Sequence, residues 1–295
     1  MNCGTINNAG SQKPLFECHG HIFMDGEDFR AARERHSGRP DEAYVRQSLA
    51  LLQAENCVYF RDGGDNLGVS LLARELAPEY GIEYVTPAFA IHRKGHYGGI
   101  VGKSYSDMKE FRQLVEDAKT AGADFIKIMT SGIITFKRYG ELSCDSVSAD
   151  ETAELVRIAH GEGFSVMVHV NGDEAVAAAS CADSIEHGYF CGDKALEAMA
   201  GNGCIWVPTL SAVKGFCGRD GFAEGAAEKT LFEQESAVKK GRELGITIAP
   251  GSDSGAYGVP HGYGTRLEYS LLESLGFKHD ELKAAGGILK ERFKR

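Results

Sequence analysis

The segment Glu17-Cys18-His19-Gly20-His21 ends the first apolar run of the chain with two histidines two positions apart. Residues two apart on a strand point to one side, so His19 and His21 can approach a single metal ion together. An HxH pair alone is a weak signal, because a lone histidine more often serves a core or a surface. Three further residues add weight: His169 at the end of VMVHV, His187 at the end of DSIEH, and Asp253 in IAPGSDSG. Lys127 is the sixth. It sits inside the apolar run DFIKIM, where an unpaired ammonium is costly to bury, so it needs a partner or a chemical modification. The competing reading of these six residues is a core with scattered histidines and a salt-bridged lysine.

Elements that recur along the chain must position these groups. Short apolar runs at 15–19, 56–60, 82–91, 123–129, 164–170, 183–187, 204–210 and 245–251 read as strands. Amphipathic stretches such as DEAYVRQSLALLQAE, SDMKEFRQLVEDAKTAG and SADETAELVRIAHGEG separate them and read as helices. Ser148 with Glu151 predicts a capping box, and Gly163 and Gly245 stand where helices should stop. Strand and helix in alternation predict parallel pairing, and eight such units predict an α/β fold of the (β/α)8 TIM-barrel type. The rival is an open doubly wound sheet, whose usual GxGxxG turn after the first strand is missing. In a barrel the strand ends converge on one face, so His19, His21, His169, His187 and Asp253 would meet there. No linker divides the chain, which reads as a single domain over 1–295 with its core at about 15–290.

With these residues in order, the sequence resembles the amidohydrolase superfamily, specifically its imidazolonepropionase-like and prolidase-like branch of metal-dependent hydrolases. FRDGG (60–64), GHYGG (95–99), ADFIKIMTSG (123–132), SIEHG (184–188), WVPTL (206–210) and GSDSG followed by HG and Glu268 extend the match. The resemblance implies two divalent metal ions per chain, one held by His19, His21 and Asp253, the other by His169 and His187. A carboxylated Lys127 would bridge them, converting a buried cation into an anionic ligand. Zinc is the default ion, with manganese, iron or cobalt as substitutes. The implied reaction is hydrolysis of an amide bond in a dipeptide, N-acyl amino acid or cyclic amide by a metal-bridging hydroxide, with Asp253 as general base. A lactonase or phosphoester hydrolase on the same centre is the alternative; a deaminase or a non-catalytic scaffold fits the ligand set less well. Members of this branch usually carry a flanking β-sandwich, whereas only about fifteen residues precede the first strand here, so a bare barrel is expected.

Other residues carry paired readings. His96, in a glycine-rich loop, matches a family histidine that polarises the substrate carbonyl, or it is an exposed loop residue. Asn171 stands where many peptidase members have tyrosine, so it either donates that hydrogen bond or marks a different substrate. Arg61 either binds a substrate carboxylate or forms a structural salt bridge with Asp62 near the strand end. Tyr189, Trp206 and His261 either line the pocket or pack. Cys18 and Cys144 stand in no cysteine-hydrolase motif and read as core residues.

Composition narrows the partners. Lys and Arg number 32 against 42 Asp and Glu, a net charge of −10 that argues against nucleic acid. Hydrophobic residues at 43% and charged residues at 25% suit a globular protein with a sizeable core. No apolar stretch is long enough to span a membrane, and the polar N-terminus MNCGTINNAGSQ has no signal-like core. Eight cysteines lie between Cys3 and Cys217 without a CxxC pair, which suits reduced thiols and a cytoplasmic location. A small-molecule substrate and a possible homo-oligomer complete the expectations.

Overall fold

Strands separated by helices must pair in parallel, because the crossover returns the chain to the same edge of the sheet. The computed structural model describes residues 13–295; Cys3 and the polar N-terminal stretch lie outside the described residues. In it β1 (Leu15–Gly20), β2 (Cys57–Asp62) and β3 (Glu83–Val85) form one sheet in that order. A second sheet runs β5-β4-β6-β7-β8-β9, from β4 (Ala90–Arg93), β5 (Gly102–Tyr105), β6 (Ile126–Met129), β7 (Val166–Val170), β8 (Ser184–His187) and β9 (Ile205–Val207). Every pairing within both sheets is parallel. Strands β6, β7 and β8 are buried at every position, as expected where both faces are covered.

Two predicted strands take a different form. The run 82–91 is broken into β3 and β4, which belong to different sheets. Pro87 has no N–H to offer a ladder, and Ala88 adopts a left-handed φ of 62°. Side chains replace the missing ladder: the Asp124 carboxylate accepts from Thr86 N at 2.8 Å, and Thr86 Oγ1 accepts from Ala88 N at 3.0 Å. The run 245–251 is an extended segment with one isolated bridge, Ile248 to Trp206, rather than a regular strand. Trp206 N donates to Thr247 O and Cys18 N to Pro250 O, both at 2.9 Å, so this segment bonds to β9 and then to β1. Strand β5 was not anticipated; Gly102 lies so close to β4 that a Cβ would stand 2.2 Å from Ala90 O.

The helices are α1 (Phe29–Arg35), α2 (Glu42–Ala54), α3 (Val69–Leu76), α4 (Met108–Thr120), α5 (Ala149–Gly161), α6 (Asp173–Ala179) and α7 (Asp193–Asn202). They are followed by α8 (Leu210–Lys214), α9 (Ala226–Glu243), α10 (Tyr263–Ser274) and α11 (His279–Arg292). Gly163 and Gly245 follow helix ends with φ of 79° and 82°, as the sequence predicted. Only half of the capping box forms. Ser148 Oγ accepts from Glu151 N at 3.3 Å, but the Glu151 carboxylate turns to Arg93 and to the Tyr105 hydroxyl. Helix α11 seats against β1 through Gly286, where a Cβ would stand 2.7 Å from Phe16 Cβ. Among the described residues no helix is long and apolar enough to cross a membrane.

Candidate metal centre

The C-terminal ends of β1, β7 and β8, the middle of β6 and the turn after the 245–251 segment bring all six predicted ligands together. His19 Nε2 and His21 Nε2 lie 3.5 and 3.6 Å from Asp253 Oδ1. Ligand atoms of these three residues all fall within 4.8 Å of one another. Lys127 Nζ stands 3.5 Å from His19 Nε2 and 3.3 Å from His21 Nε2. The His169 and His187 rings are 4.6 Å apart, and the His187 ring is 5.0 Å from that of His19. Room for this crowding comes from Gly63, where a Cβ would stand 2.2 Å from His21 Cε1 and 2.6 Å from Lys127 Nζ.

Hydrogen bonds behind the ligands fix which nitrogen faces inward. Glu186 Oε2 lies 2.6 Å from His19 Nδ1, and Thr209 Oγ1 lies 2.8 Å from His187 Nδ1. A proton donated from His19 Nδ1 to the carboxylate leaves the Nε2 lone pair aimed at the Asp253 carboxylate, so two acceptors face each other. That arrangement calls for a cation; the Lys127 ammonium supplies one here, and the three-residue donor set of two imidazoles and a carboxylate also suits a divalent metal. Burial holds the His19, His21 and His187 imidazoles well below their usual range and His169 at about 3, which keeps them neutral as ligation requires. Burial also pushes the Lys127 ammonium down to about 8, against the opposing pull of Asp253. It raises the Asp253 carboxyl to about 6, with Lys127 opposing.

Backbone strain concentrates at the same place. His187, Thr209 and Asp253 have φ of 67°, 47° and 61°, a left-handed region that costs non-glycine residues about 1 kcal/mol or more each. Two buried carboxylates hold the strained turns. Glu268 accepts from Leu210 N at 3.0 Å and from Ser211 N and Oγ at 2.7 Å, just after Thr209. Glu17 accepts from Ser252 N at 2.7 Å and from Thr265 Oγ1 at 2.6 Å, just before Asp253. Glu17, Glu186 and Thr209 escaped the sequence reading, although their places beside HxH, in SIEH and in VPTL carried the signal.

A cavity of about 560 Å³ opens over the ligands. Asn171 and Tyr189 line it. Asn171 is fixed by donating to Gly132 O at 3.0 Å and accepting from Tyr189 N at 3.1 Å, and the Tyr189 hydroxyl donates to Thr209 O at 2.9 Å. Other candidates fall elsewhere. Arg61 is fully buried, and it donates to Glu186 Oε1 and Cys18 O, both at 2.7 Å, and not to its neighbour Asp62, whose carboxylate accepts from Ile22 N, Gly64 N and the Tyr84 hydroxyl. His261 packs between Met24 O at 2.7 Å and Ser254 Oγ at 3.2 Å, outside the cavity lining. His96 sits with Nδ1 3.1 Å from Asp145 O, also outside the lining, while its neighbour Tyr97 lines the cavity with its ring 5.5 Å from that of His169. Trp206 is a support: its indole donates to His187 O at 2.9 Å. Cys18 is buried with its thiol pushed up by burial, Cys144 Sγ accepts from Tyr97 N, and the described cysteines are all free.

No family model matches the chain. An ochratoxinase of Aspergillus niger is 26% identical over 196 residues, which are 63% of this chain and 38% of that protein, so the chain spans well under half of this curated relative. A solved Xaa-Pro dipeptidase with bound methionine superposes with a TM-score of 0.74 at 22% identity, covering 95% of this chain and 75% of that one. A solved amidohydrolase gives a TM-score of 0.75 at 18% identity, covering 96% of this chain and 74% of the other. The chain thus shares its fold with prolidase-like and amidohydrolase structures.

Proposed function

We propose that this protein is a metal-dependent hydrolase that cleaves an amide bond, on a barrel closed where the 245–251 segment joins β9 to β1. A cluster drawn from successive strands, with Cys18, Tyr59, Met167, Ile205 and Ala249 among its members, supports closure, since these residues meet only if the strands surround a common interior. The observation that carries the catalytic reading is the convergence of His19 Nε2, His21 Nε2 and Asp253 Oδ1 around Lys127 Nζ.

His19, His21 and Asp253 would hold one ion and His169 and His187 a second, with Lys127 shared between them as a carbamate. Carbamate formation needs the neutral amine: its nitrogen bonds to carbon dioxide and releases a proton. With the ammonium held at about 8, roughly one lysine in ten is neutral at pH 7 before reaction. When bound, the metal pair supplies a water of lowered pKa and a Lewis acid for the scissile carbonyl.

The remaining steps belong to the chain. Asp253, whose carboxylate stands beside His19 and His21 Nε2, would take a proton and pass it to the leaving nitrogen. The Tyr97 phenol, which burial keeps protonated, makes no hydrogen bond among the described residues and faces the cavity. It is placed to donate to the developing oxyanion in the role the sequence gave to His96. Asn171, held at both amide atoms, shapes the floor beside it.

Elemental mass spectrometry of protein purified without chelator tests the reading. About two transition-metal ions per chain, with amide hydrolysis that chelation abolishes and zinc or manganese restores, is the expected result. No metal after attempted loading would overturn it.

A further inference from the structure

The last residues of the chain pack where strands begin, at the end opposite the metal ligands. Lys290 of α11 pairs with Glu83 at the start of β3. Ser165 Oγ, just before β7, donates to Arg292 O at 2.6 Å, and Arg295 donates to Ala123 O, before β6, at 3.2 Å. His19, His169 and His187 stand instead at or next to the last residues of β1, β7 and β8. Exposure singles out one residue of this tail. Glu291, Arg292, Lys294 and Arg295 are exposed, whereas Phe293 between them is 1% exposed. Its ring joins a cluster with Cys18 of β1, Tyr59 of β2, Met167 of β7 and Ile205 of β9.

That ring also meets a charge. The Arg61 guanidinium carbon lies 4.4 Å from the centre of the Phe293 ring, and the Phe125 ring meets Phe293 edge to face with 5.2 Å between centres. Arg61 is itself fully buried. Its Nη2 donates to Glu186 Oε1 at 2.7 Å and its Nη1 to Ser184 Oγ at 2.8 Å, and Ser184 Oγ donates to the same Oε1 at 2.6 Å. With Oε1 gripped from two sides, Oε2 is left aimed at His19 Nδ1, 2.6 Å away. Both the ion pair and the cation–ring contact are strongest where water is excluded. Phe293 is the layer that excludes it, because its neighbours on either side along the chain are in solvent. Without the ring, water reaches the guanidinium, competes for it with Glu186 Oε1, and loosens the carboxylate that orients the ligand.

Resting on the metal-dependent reading, we infer that Phe293 is a positioning residue: its ring seals Arg61 among the strands and, through Glu186, fixes the His19 imidazole at the opposite end. The end of the chain thereby sets how well the metal centre holds an ion, although no atom of it approaches the cavity lining.

The test uses the full chain and two readouts. Zinc affinity is measured by competition with a chromophoric chelator. In the metal-free chain, the proton on His19 Nδ1 is followed as a low-field resonance, assigned by its loss in His19→Asn. Phe293→Leu keeps apolar bulk and removes the ring face; it should weaken zinc binding about 3- to 10-fold and shift or broaden the resonance. Phe293→Ala should weaken zinc binding about 10- to 100-fold, and Phe293→Leu carries the test if that variant does not fold. Phe293→Tyr retains the ring face and should hold the affinity within about twofold. Lys290→Ala cuts the tie to Glu83 on the same helix and should change neither readout. Thermal melts separate loss of fold from loss of orientation. Lower melting temperatures with both readouts unchanged would make Phe293 purely structural and overturn the inference. So would an equal effect of Lys290→Ala, since seating of the helix and not the ring would then matter. A parent chain that binds no zinc sinks the metal-dependent reading, and the His19 resonance then decides this inference alone.

Discussion

The floor of the cavity and its wall are built on opposite principles. The floor is polar, and its ligands are backed by partners: His19 by Glu186, Glu186 by Arg61 and Ser184, His187 by Thr209, and the turn at Thr209 by Glu268. The wall is apolar, stands on loops, and is held chiefly by ring contacts among Phe136, Phe216, Phe222 and Tyr257, with Arg219 on the Tyr257 hydroxyl as a polar tie. Buried polar networks tolerate little change, because removing one member leaves another charge or donor unpaired at full desolvation cost. Ring contacts can be traded for others of similar volume at modest cost. The floor is thus the part that tolerates less change, and the wall the part that tolerates more.

The strongest way to break this contrast is to remove the group at the centre of the floor. Lys127→Ala should lower bound metal and reduce kcat by about 10³-fold or more, with short carboxylic acids restoring part of both. Metal content and kcat measured together check this, and unchanged turnover would remove the bridging role. Asp253→Asn should depress kcat by roughly 10²- to 10⁴-fold while the melting temperature stays close to that of the parent chain. Full turnover in that variant would end the proposal that Asp253 moves the proton.

A second approach tests the network beneath the ligands. Glu186→Gln removes the anion shared by His19 and Arg61, and so strands a fully buried guanidinium. Breaking a buried pair from one side costs about 3–5 kcal/mol, and loss of a carboxylate behind a ligating histidine weakens metal binding about 10- to 100-fold. Denaturant unfolding and metal titration measure the two effects separately. The double variant Glu186→Gln with Arg61→Met should recover part of the stability and little of the metal affinity. Recovery of both would mean that Glu186 acts only as a counter-ion.

The floor was legible in the sequence for a physical reason. A strand has a period of two, and parallel strands buried on both faces read as plain apolar runs, so a histidine, aspartate or lysine at the end of one, or within it, stands out. His19, His21, Lys127, His169, His187 and Asp253 all came from that pattern. The pattern was less able to show interruptions. Pro87 broke the third strand because it lacks an N–H, and Asp124, far along the chain, supplied the replacement bonds. Arg61 looked like a substrate ligand because its type and place allowed it, but its partner Glu186 lies 125 residues away. The wall was illegible for a related reason. Phe136, Phe216, Phe222 and Tyr257 belong to loops without periodicity, and only tertiary packing makes them one surface.

The smallest predicted effect sharpens the boundary between floor and wall, where sequence and structure assign one role to adjacent residues. His96 matches the family pattern, yet it bonds to the Asp145 carbonyl away from the cavity. Tyr97 lines the cavity beside His169 with a protonated phenol and no internal hydrogen bond among the described residues. A single neutral donor to an oxyanion is worth about 10²- to 10³-fold in kcat, at or below the loss expected for an essential base or metal ligand. Tyr97→Phe keeps the ring, and with it the packing on His169, while deleting only the donor. It should therefore lower kcat by about that factor and leave KM nearly unchanged, since the bond strengthens only as charge develops on the oxygen. His96→Ala should leave both constants within about twofold, because the lost contact lies on the far side of the loop. If His96→Ala instead lowers kcat and Tyr97→Phe does not, the loop must turn inward when substrate binds, and the family role returns to His96.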